Sequence, residues 1–87
     1  MLEKAKTDLR ISHNKLDADI QDNIASCELD LKRLGVNPNL DNQLVQKAIK
    51  LYLRWQYNFE NQAERYMKAY YDLASSMSLS KDYKEGN

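Results

Sequence analysis

The sequence contains few residues that cross-link a small domain or interrupt its helices: one cysteine, one proline and two glycines in 87 residues. Cys27 has no disulfide partner within the chain, and together with the single histidine, His13, it falls short of the four ligands of a structural zinc site. The shortage of glycine and proline favours helices, because both residues destabilise a helix interior. Gly35 and Pro38 lie together in LGVNPN, which is the clearest break in the chain.

The chain also lacks an excess of charge and any long apolar run. Thirteen Lys and Arg residues balance thirteen Asp and Glu residues, whereas nucleic-acid binders usually carry a basic surplus that neutralises phosphates. No apolar run approaches the roughly 20 residues of a membrane-spanning helix, and MLEKAKTDLR at the start has no apolar core of a signal peptide. We therefore expect a soluble protein made in the cytoplasm, without a membrane partner.

The hydrophobic pattern predicts an all-α fold, a small four-helix domain with one short N-terminal helix and three longer ones. We expect a single domain over residues 1–78 and a flexible tail over residues 79–87. A domain this small buries only about 60–65% of the surface that its unfolded chain exposes, so its stability margin is thin. With disulfides excluded and zinc disfavoured, self-association is the remaining common source of extra stability.

The ends of the helices are predicted from capping residues. The first helix spans residues 2–10, and the second begins near Asp17, whose carboxylate we expect to cap it, and ends at Gly35. The third begins near Asp41 or Asn42 and ends at about residue 58. The fourth opens with NQAE, in which Asn61 and a glutamate three residues later resemble a capping box.

The third and fourth predicted helices are apolar around much of their circumference. Their apolar residues cover about 200° of the helical wheel, whereas a helix on the surface of a bundle needs little more than 100°. One such helix can be the central one, covered by the other three. Two of them leave apolar surface without an internal partner, which we expect around Tyr57, Met67 and Tyr71, and exposed patches of this kind mark contact surfaces.

Charge is divided between the second and third helices. Residues 16–31 contain five acidic residues and no base, whereas residues 32–54 contain five bases and one acid. Opposite charges on different sides of one domain favour head-to-tail contacts between copies, which close into a ring when the rotation permits. We expect Leu29, outside the core stripe of its helix, in such a contact. The residues expected in the subunit interface are Asp19, Asp22, Leu29, Asp30, Lys47, Lys50, Arg54, Tyr57, Met67 and Tyr71.

Other functions have less support in the sequence. YLRWQYNFENQAERYMKAYY holds seven of the eight aromatic residues with basic residues among them, so base stacking is an alternative to a core and a protein contact. A small nucleic-acid-binding regulator would use the basic strip of Lys47, Lys50 and Arg54. Asp19 and Asp22 alone are too few for a metal site. No catalytic constellation or cofactor-binding motif is present, and we expect neither an enzyme nor a cofactor.

The order of four segments resembles the head–tail connector proteins of tailed bacteriophages. The segments are LEKAKTDL with the turn LRISHNKLD, the acidic DADIQDNI helix ending in LGV, LVQKAIKLYLRWQYNF, and AERYMKAYYDLASSMSLS. They cover residues 2–80, and their order carries the resemblance. One departure is LDNQ before the third helix, where a typical member has an acidic residue followed by proline, so Asn42 takes the capping role.

The resemblance implies a structural role in the virion. Members of this family form a homo-oligomeric ring below the portal, lengthen the DNA channel and dock stopper or tail proteins. It also implies subunit contacts on residues 17–34 and 42–58, only transient and non-specific contact with passing DNA, and assembly in the host bacterial cytoplasm. The acidic second helix would suit the lumen of the channel as well as a subunit contact. The end of the fourth helix and the tail are implied to reach the portal through Leu79, Lys81, Tyr83 and Lys84.

Overall fold

The computed structural model of the protein describes residues 1–80 and confirms the all-α fold. Four α-helices and one short 3-10 turn follow one another along this part of the chain. They are α1 (Leu2–Leu9), α2 (Asp17–Arg33), α3 (Gln43–Gln56), the 3-10 turn (Phe59–Asn61) and α4 (Ala63–Ser78). The predicted tail residues 81–87 lie outside the described residues.

Helix α3 is the central helix of the domain. It packs against α1, α2 and α4, and its contact with α4 is the most extensive of the three. Its residues Val45, Ala48, Ile49 and Leu53 are fully buried. The apolar arc of about 200° predicted for α3 is therefore explained by neighbours on three sides.

The core combines aliphatic residues of all four helices with one aromatic ring of α4. Helix α2 contributes its predicted stripe of Ile20, Ile24, Cys27 and Leu31, and α4 contributes Tyr70 among others. The buried members of this core are Ala5, Leu9, Ile20, Ile24, Cys27, Leu31, Val36, Val45, Ala48, Ile49, Leu53, Tyr70, Ala74 and Met77.

The predicted end of α2 is confirmed. Gly35 has a φ of 86°, in the left-handed region. Its N–H donates to the carbonyl of Lys32 at 3.0 Å, and the N–H of Val36 donates to the carbonyl of Leu31 at 2.8 Å. These two bonds make a Schellman motif, which satisfies the last carbonyls of the helix, and the buried Val36 side chain anchors the chain after it.

Two of the predicted N-terminal caps are wrong, and one is confirmed. Asn42 caps α3, because its side-chain oxygen accepts from the N–H groups of Leu44 and Val45 at 2.9 and 3.2 Å. Asp17 does not cap α2. It is the first helical residue. Its Oδ1 lies 2.9 Å from the buried ammonium of Lys6. The two groups form an ion pair, but their geometry is not that of a hydrogen bond.

The expected capping box of α4 is also absent. Asn61 belongs to the 3-10 turn with a left-handed φ of 57°, and α4 begins after Gln62 without a side-chain cap at that residue. Asn58 fulfils part of this role, since its Oδ1 accepts from the N–H of Ala63 at 3.2 Å. Asn58 is itself left-handed with a φ of 48°, which is why α3 ends at Gln56 rather than at residue 58.

Candidate assembly surfaces

The outward face of α2 carries an exposed leucine among small and acidic residues. Leu29 is 68% exposed, on the side of the helix opposite its core stripe. Ala18, Asp22 and Ala25 are also exposed and, at 100° per residue, fall within about 60° of one another and of Leu29. We call these four residues the α2 strip. The prediction that Leu29 lies outside the core is confirmed.

Asp19 and Tyr57 contact each other within the domain. The Tyr57 hydroxyl donates a hydrogen bond to the Asp19 carboxylate and accepts one from the side-chain amide of Asn23 at 3.1 Å. Burial of the ring and the bond to Asp19 raise the pKa of Tyr57 to about 12. This contact joins the start of α2 to the end of α3, so both residues have an internal structural role.

Asp30 is likewise engaged inside the molecule. Its Oδ1 accepts from Arg33 at 2.6 and 3.0 Å, and its Oδ2 accepts from the Tyr70 hydroxyl at 2.7 Å. The thiol of Cys27 contacts the same hydroxyl at 3.8 Å. Burial raises the pKa of Cys27 to about 12, so the thiol stays protonated and unreactive at neutral pH. Asp30 thus connects α2 to α4.

Arg54, the third member of the predicted basic strip, is held by α1 and by two aromatic rings. Its guanidinium donates two hydrogen bonds to the Asp8 carboxylate, each of 2.9 Å. Its central carbon lies 4.8 Å from the ring centre of Phe59 and 5.2 Å from that of Tyr66. A cation over the face of an aromatic ring is attracted by the electrons of the ring. The basic strip that remains consists of Lys47 and Lys50.

Lys50 lines a groove that the sequence did not indicate. The groove has a volume of about 350 Å³ and is lined by residues of α1 and by one residue of α3. We call it the α1–α3 groove, and its lining residues are Glu3, Lys4, Thr7, Asp8 and Lys50. Lys47, one turn before Lys50, is exposed. Within residues 1–80 neither lysine forms an ion pair.

The aromatic residues of α3 and α4 mostly cover one another. Tyr70 lies 5.3 Å from Tyr52 and 5.0 Å from Tyr71 between ring centres, and Trp55 lies 5.7 Å from Tyr71. Edge-to-face rings at such distances attract one another beyond the effect of burial. The aromatic stretch therefore forms part of the core and its margin, which accounts for most of the rings without base stacking.

Tyr57, Met67 and Tyr71, around which the sequence predicts surplus apolar surface, are half-buried in the domain. Among the described residues, the large hydrophobic side chains that are exposed are Leu29, Leu40, Leu44 and Leu79.

Of the four predicted portal-contact residues, Leu79 is within the part of the chain that the structure describes. Leu79 follows the last residue of α4 and is 88% exposed. Lys81, Tyr83 and Lys84 lie outside the described residues. Within residues 1–80, no group of three or more His, Cys, Asp or Glu side chains is placed to hold a metal ion. The helices of this region are each too short or too polar to cross a membrane.

Comparison with known proteins decides the family. Residues 1–84 match the family described as Phage connector protein. The chain belongs to this family. The connector is therefore a structural component of the phage head–tail region, where it interacts with other head or tail proteins. Comparison with curated proteins and with solved structures gave no significant match.

Proposed function

We propose that this connector forms a homo-oligomeric ring below the phage portal, extends the DNA channel and docks stopper or tail proteins. The observation that carries the proposal is the family match over residues 1–84, nearly the whole chain. An exposed leucine on a helix face with no partner inside the domain supports it, because such a side chain gains from burial in an assembly.

The charges that remain free support contacts between different faces of neighbouring copies. Asp22 on α2 and Lys47 on α3 are exposed, and neither forms an ion pair within the described residues. Copies arranged head to tail bring such charges together, and a ring results when the rotation closes. Asp19, Asp30, Arg54 and Tyr57 would then support the interface from within by fixing α2 and α3.

The remaining partners follow from the same role. We expect Leu79 and the following residues Lys81, Tyr83 and Lys84 to contact the portal, and assembly to take place in the host cytoplasm. A neutral chain suits a channel component, because sliding DNA requires weak contact with phosphate. The proposed role needs no catalysis and no cofactor.

The alternative, a nucleic-acid-binding regulator, loses support from the position of Arg54. The Arg54 guanidinium contacts Asp8, Phe59 and Tyr66 within the domain. Only two of the three residues of the basic strip, Lys47 and Lys50, therefore remain to contact phosphates. A gel-shift titration against duplex DNA at several salt concentrations separates the two functions. A regulator binds with a steep salt dependence, whereas the connector is expected to show at most weak retardation at low salt.

Electron microscopy of the connector mixed with the portal of its phage tests the proposed ring directly. We expect an additional ring of density on one end of the portal, absent from portal alone. A chain ending at residue 78 tests the portal contact, and we expect it to keep its helical circular dichroism and lose the added ring. Portals that stay bare at high connector concentration would contradict the proposed function.

A further inference from the structure

The α2 strip and the α1–α3 groove are two different surfaces that carry opposite charge. The α2 strip projects one large apolar side chain, Leu29, and its other members, Ala18, Asp22 and Ala25, are shorter. The α1–α3 groove is an open depression with a volume of about 350 Å³. Water in the liquid takes up about 30 Å³ per molecule. The groove volume therefore corresponds to more than ten water molecules, and a leucine side chain fits in it.

The groove and its edge carry a basic surplus. Lys50 lines it, Lys47 lies one turn away, and neither has an ion-pair partner within residues 1–80. Lys4 donates to the neutral amide of Gln46 at 3.2 Å. Asp8, one of the two acids in the lining, is already paired with Arg54, which leaves Glu3.

The strip carries the opposite charge. Asp22 is exposed and belongs to no ion pair in the described part of the chain. It lies seven residues before Leu29 on the same face, which is about 10.5 Å along the helix at 1.5 Å per residue. Lys50, in the groove lining, and Lys47, about 4.5 Å closer to the start of α3, are the cations available to Asp22 there.

We infer that the α2 strip of one copy docks into the α1–α3 groove of the next copy. Leu29 occupies the groove, and Asp22 pairs with Lys47 or Lys50 at its edge. This inference rests on the proposed ring and specifies which surfaces meet in it. Because strip and groove lie on the same chain, each copy offers one of each, and the contact is heterologous. It makes α1 part of the interface, which the charge pattern alone did not indicate.

Chemical cross-linking between two cysteine variants tests the contact. Leu29→Cys places a thiol at the centre of the strip, and Thr7→Cys places one in the groove; both positions are exposed. Cys27 remains in place, because it is fully buried. The two variants are mixed in equal amounts, with and without portal, and treated with a short bismaleimide. We expect cross-linked dimers in the mixture at no less than tenfold the yield of either variant alone.

A matched control replaces Thr7→Cys by Ser76→Cys, at a residue of α4 that is exposed and does not line the groove. We expect this pair to give only the background yield. Equal yields with Ser76→Cys, or cross-linking of Leu29→Cys to itself at the level of the mixture, would overturn the inference. The second result would indicate a two-fold contact between α2 strips.

Charge reversal tests the role of Asp22. Adding Asp22→Lys to the Leu29→Cys variant is expected to lower the cross-linking yield about threefold to fivefold, as for the loss of an exposed ion pair. Adding Lys47→Glu to the Thr7→Cys partner as well is expected to restore it. Asp72→Lys on α4 is the matched control and should leave the yield unchanged. A cross-linking yield that neither charge reversal changes would contradict the pairing of Asp22 with Lys47.

Electron microscopy of the same mixtures with portal separates this inference from the proposed function. Rings with cross-links between positions 29 and 7 support both. Rings without such cross-links overturn the inference and leave the ring function standing. Cross-links without portal-bound rings support the contact and contradict the proposed function. The absence of both contradicts both.

Discussion

Arg54 of α3 binds Asp8 of α1 through two parallel hydrogen bonds of 2.9 Å, across a sequence separation of 46 residues. The pair is partly buried, with side-chain exposures of 29% for Arg54 and 17% for Asp8. It places a helix of eight residues, too short to be stable alone, on the central helix of the domain. The short helix in turn forms one wall of the α1–α3 groove.

Replacing Arg54 by alanine is expected to destabilise the domain. The change leaves the Asp8 carboxylate half-buried without its cation and removes the packing of the guanidinium against Phe59 and Tyr66. Losing hydrogen bonds to a charged group costs about 2 kcal/mol, which lowers the Tm of a domain of this size by roughly 8–16 °C. Thermal unfolding followed by circular dichroism measures it. Lys68→Ala, at an exposed lysine of α4, is the control, and an equal Tm for the two variants would contradict this account.

Replacing Gly35 by alanine is expected to lower stability by about 1–2 kcal/mol through the backbone alone. A Cβ at this position meets no atom within 4 Å, so the cost comes from the φ of 86° and not from a clash. Gly35→Asn, with a residue that tolerates left-handed conformations, is expected to lose less. Urea unfolding of both variants measures the difference, and a neutral alanine variant would show that the strain argument is wrong.

Stability is expected to fall as the pH rises above about 9, in part because of Cys27. Burial raises the pKa of its thiol from 9.0 to about 12. Below about pH 8, one unit under the unfolded pKa of 9.0, the thiol is protonated in both the folded and the unfolded chain and contributes almost no pH dependence. Between about pH 9 and 12 the unfolded chain loses this proton first, so the free energy of unfolding decreases as the pH rises.

The Cys27→Ala variant isolates that contribution. We expect its free energy of unfolding, measured by urea titration at several pH values, to fall less steeply between pH 9 and 12 than that of the native chain. The lysines and the other tyrosines titrate in both proteins and cancel in the comparison. Tyr70 and Tyr52, whose pKa values Cys27 helps to raise, add to the pH dependence that the variant removes. Parallel pH profiles would show that the thiol ionises as easily in the folded protein as in the unfolded chain.

The free connector is expected to be monomeric or weakly associating at low concentration. Within residues 1–80, the outward face of α2 offers one exposed leucine, Leu29, together with scattered charges, which is too little for a tight contact. Light scattering across a concentration series measures the association. Leu29→Asp is expected to abolish the weak association while changing stability by less than about 0.5 kcal/mol. Leu40→Asp is the control for an exposed leucine elsewhere, and a fixed dimer at nanomolar concentration would contradict the prediction.

The sequence predicts well those features that depend on neighbouring residues or on helical periodicity. The stripe from Ile20 to Leu31 faces the core, Gly35 ends α2, and Asn42 caps α3, as their local patterns indicate. The outward position of Leu29 follows from the same periodicity. Each of these features depends on residues that are close to one another along the chain, so it can be predicted from the sequence without knowledge of the tertiary structure.

Features that depend on distant contacts could not be predicted in this way. Nothing near Asp17 shows that Lys6 would be buried beside it, and so its expected role as a cap is wrong. Nothing near Arg54 identifies Asp8 as its partner. The α1–α3 groove exists only after α1 packs against α3, and the half-burial of Tyr71 depends on the position of Trp55.

The position of Trp55 gives the protein an intrinsic spectroscopic reporter. It is the only tryptophan of the chain, and its indole contacts the rings of Tyr70 and Tyr71 across the two helices of the α3–α4 hairpin. Its fluorescence emission therefore responds to separation of that hairpin. The ring contacts of the indole involve α3 and α4 and not the α2 strip. We therefore expect docking through that strip to leave the emission unchanged, so that emission distinguishes unfolding of a subunit from its incorporation into a larger particle.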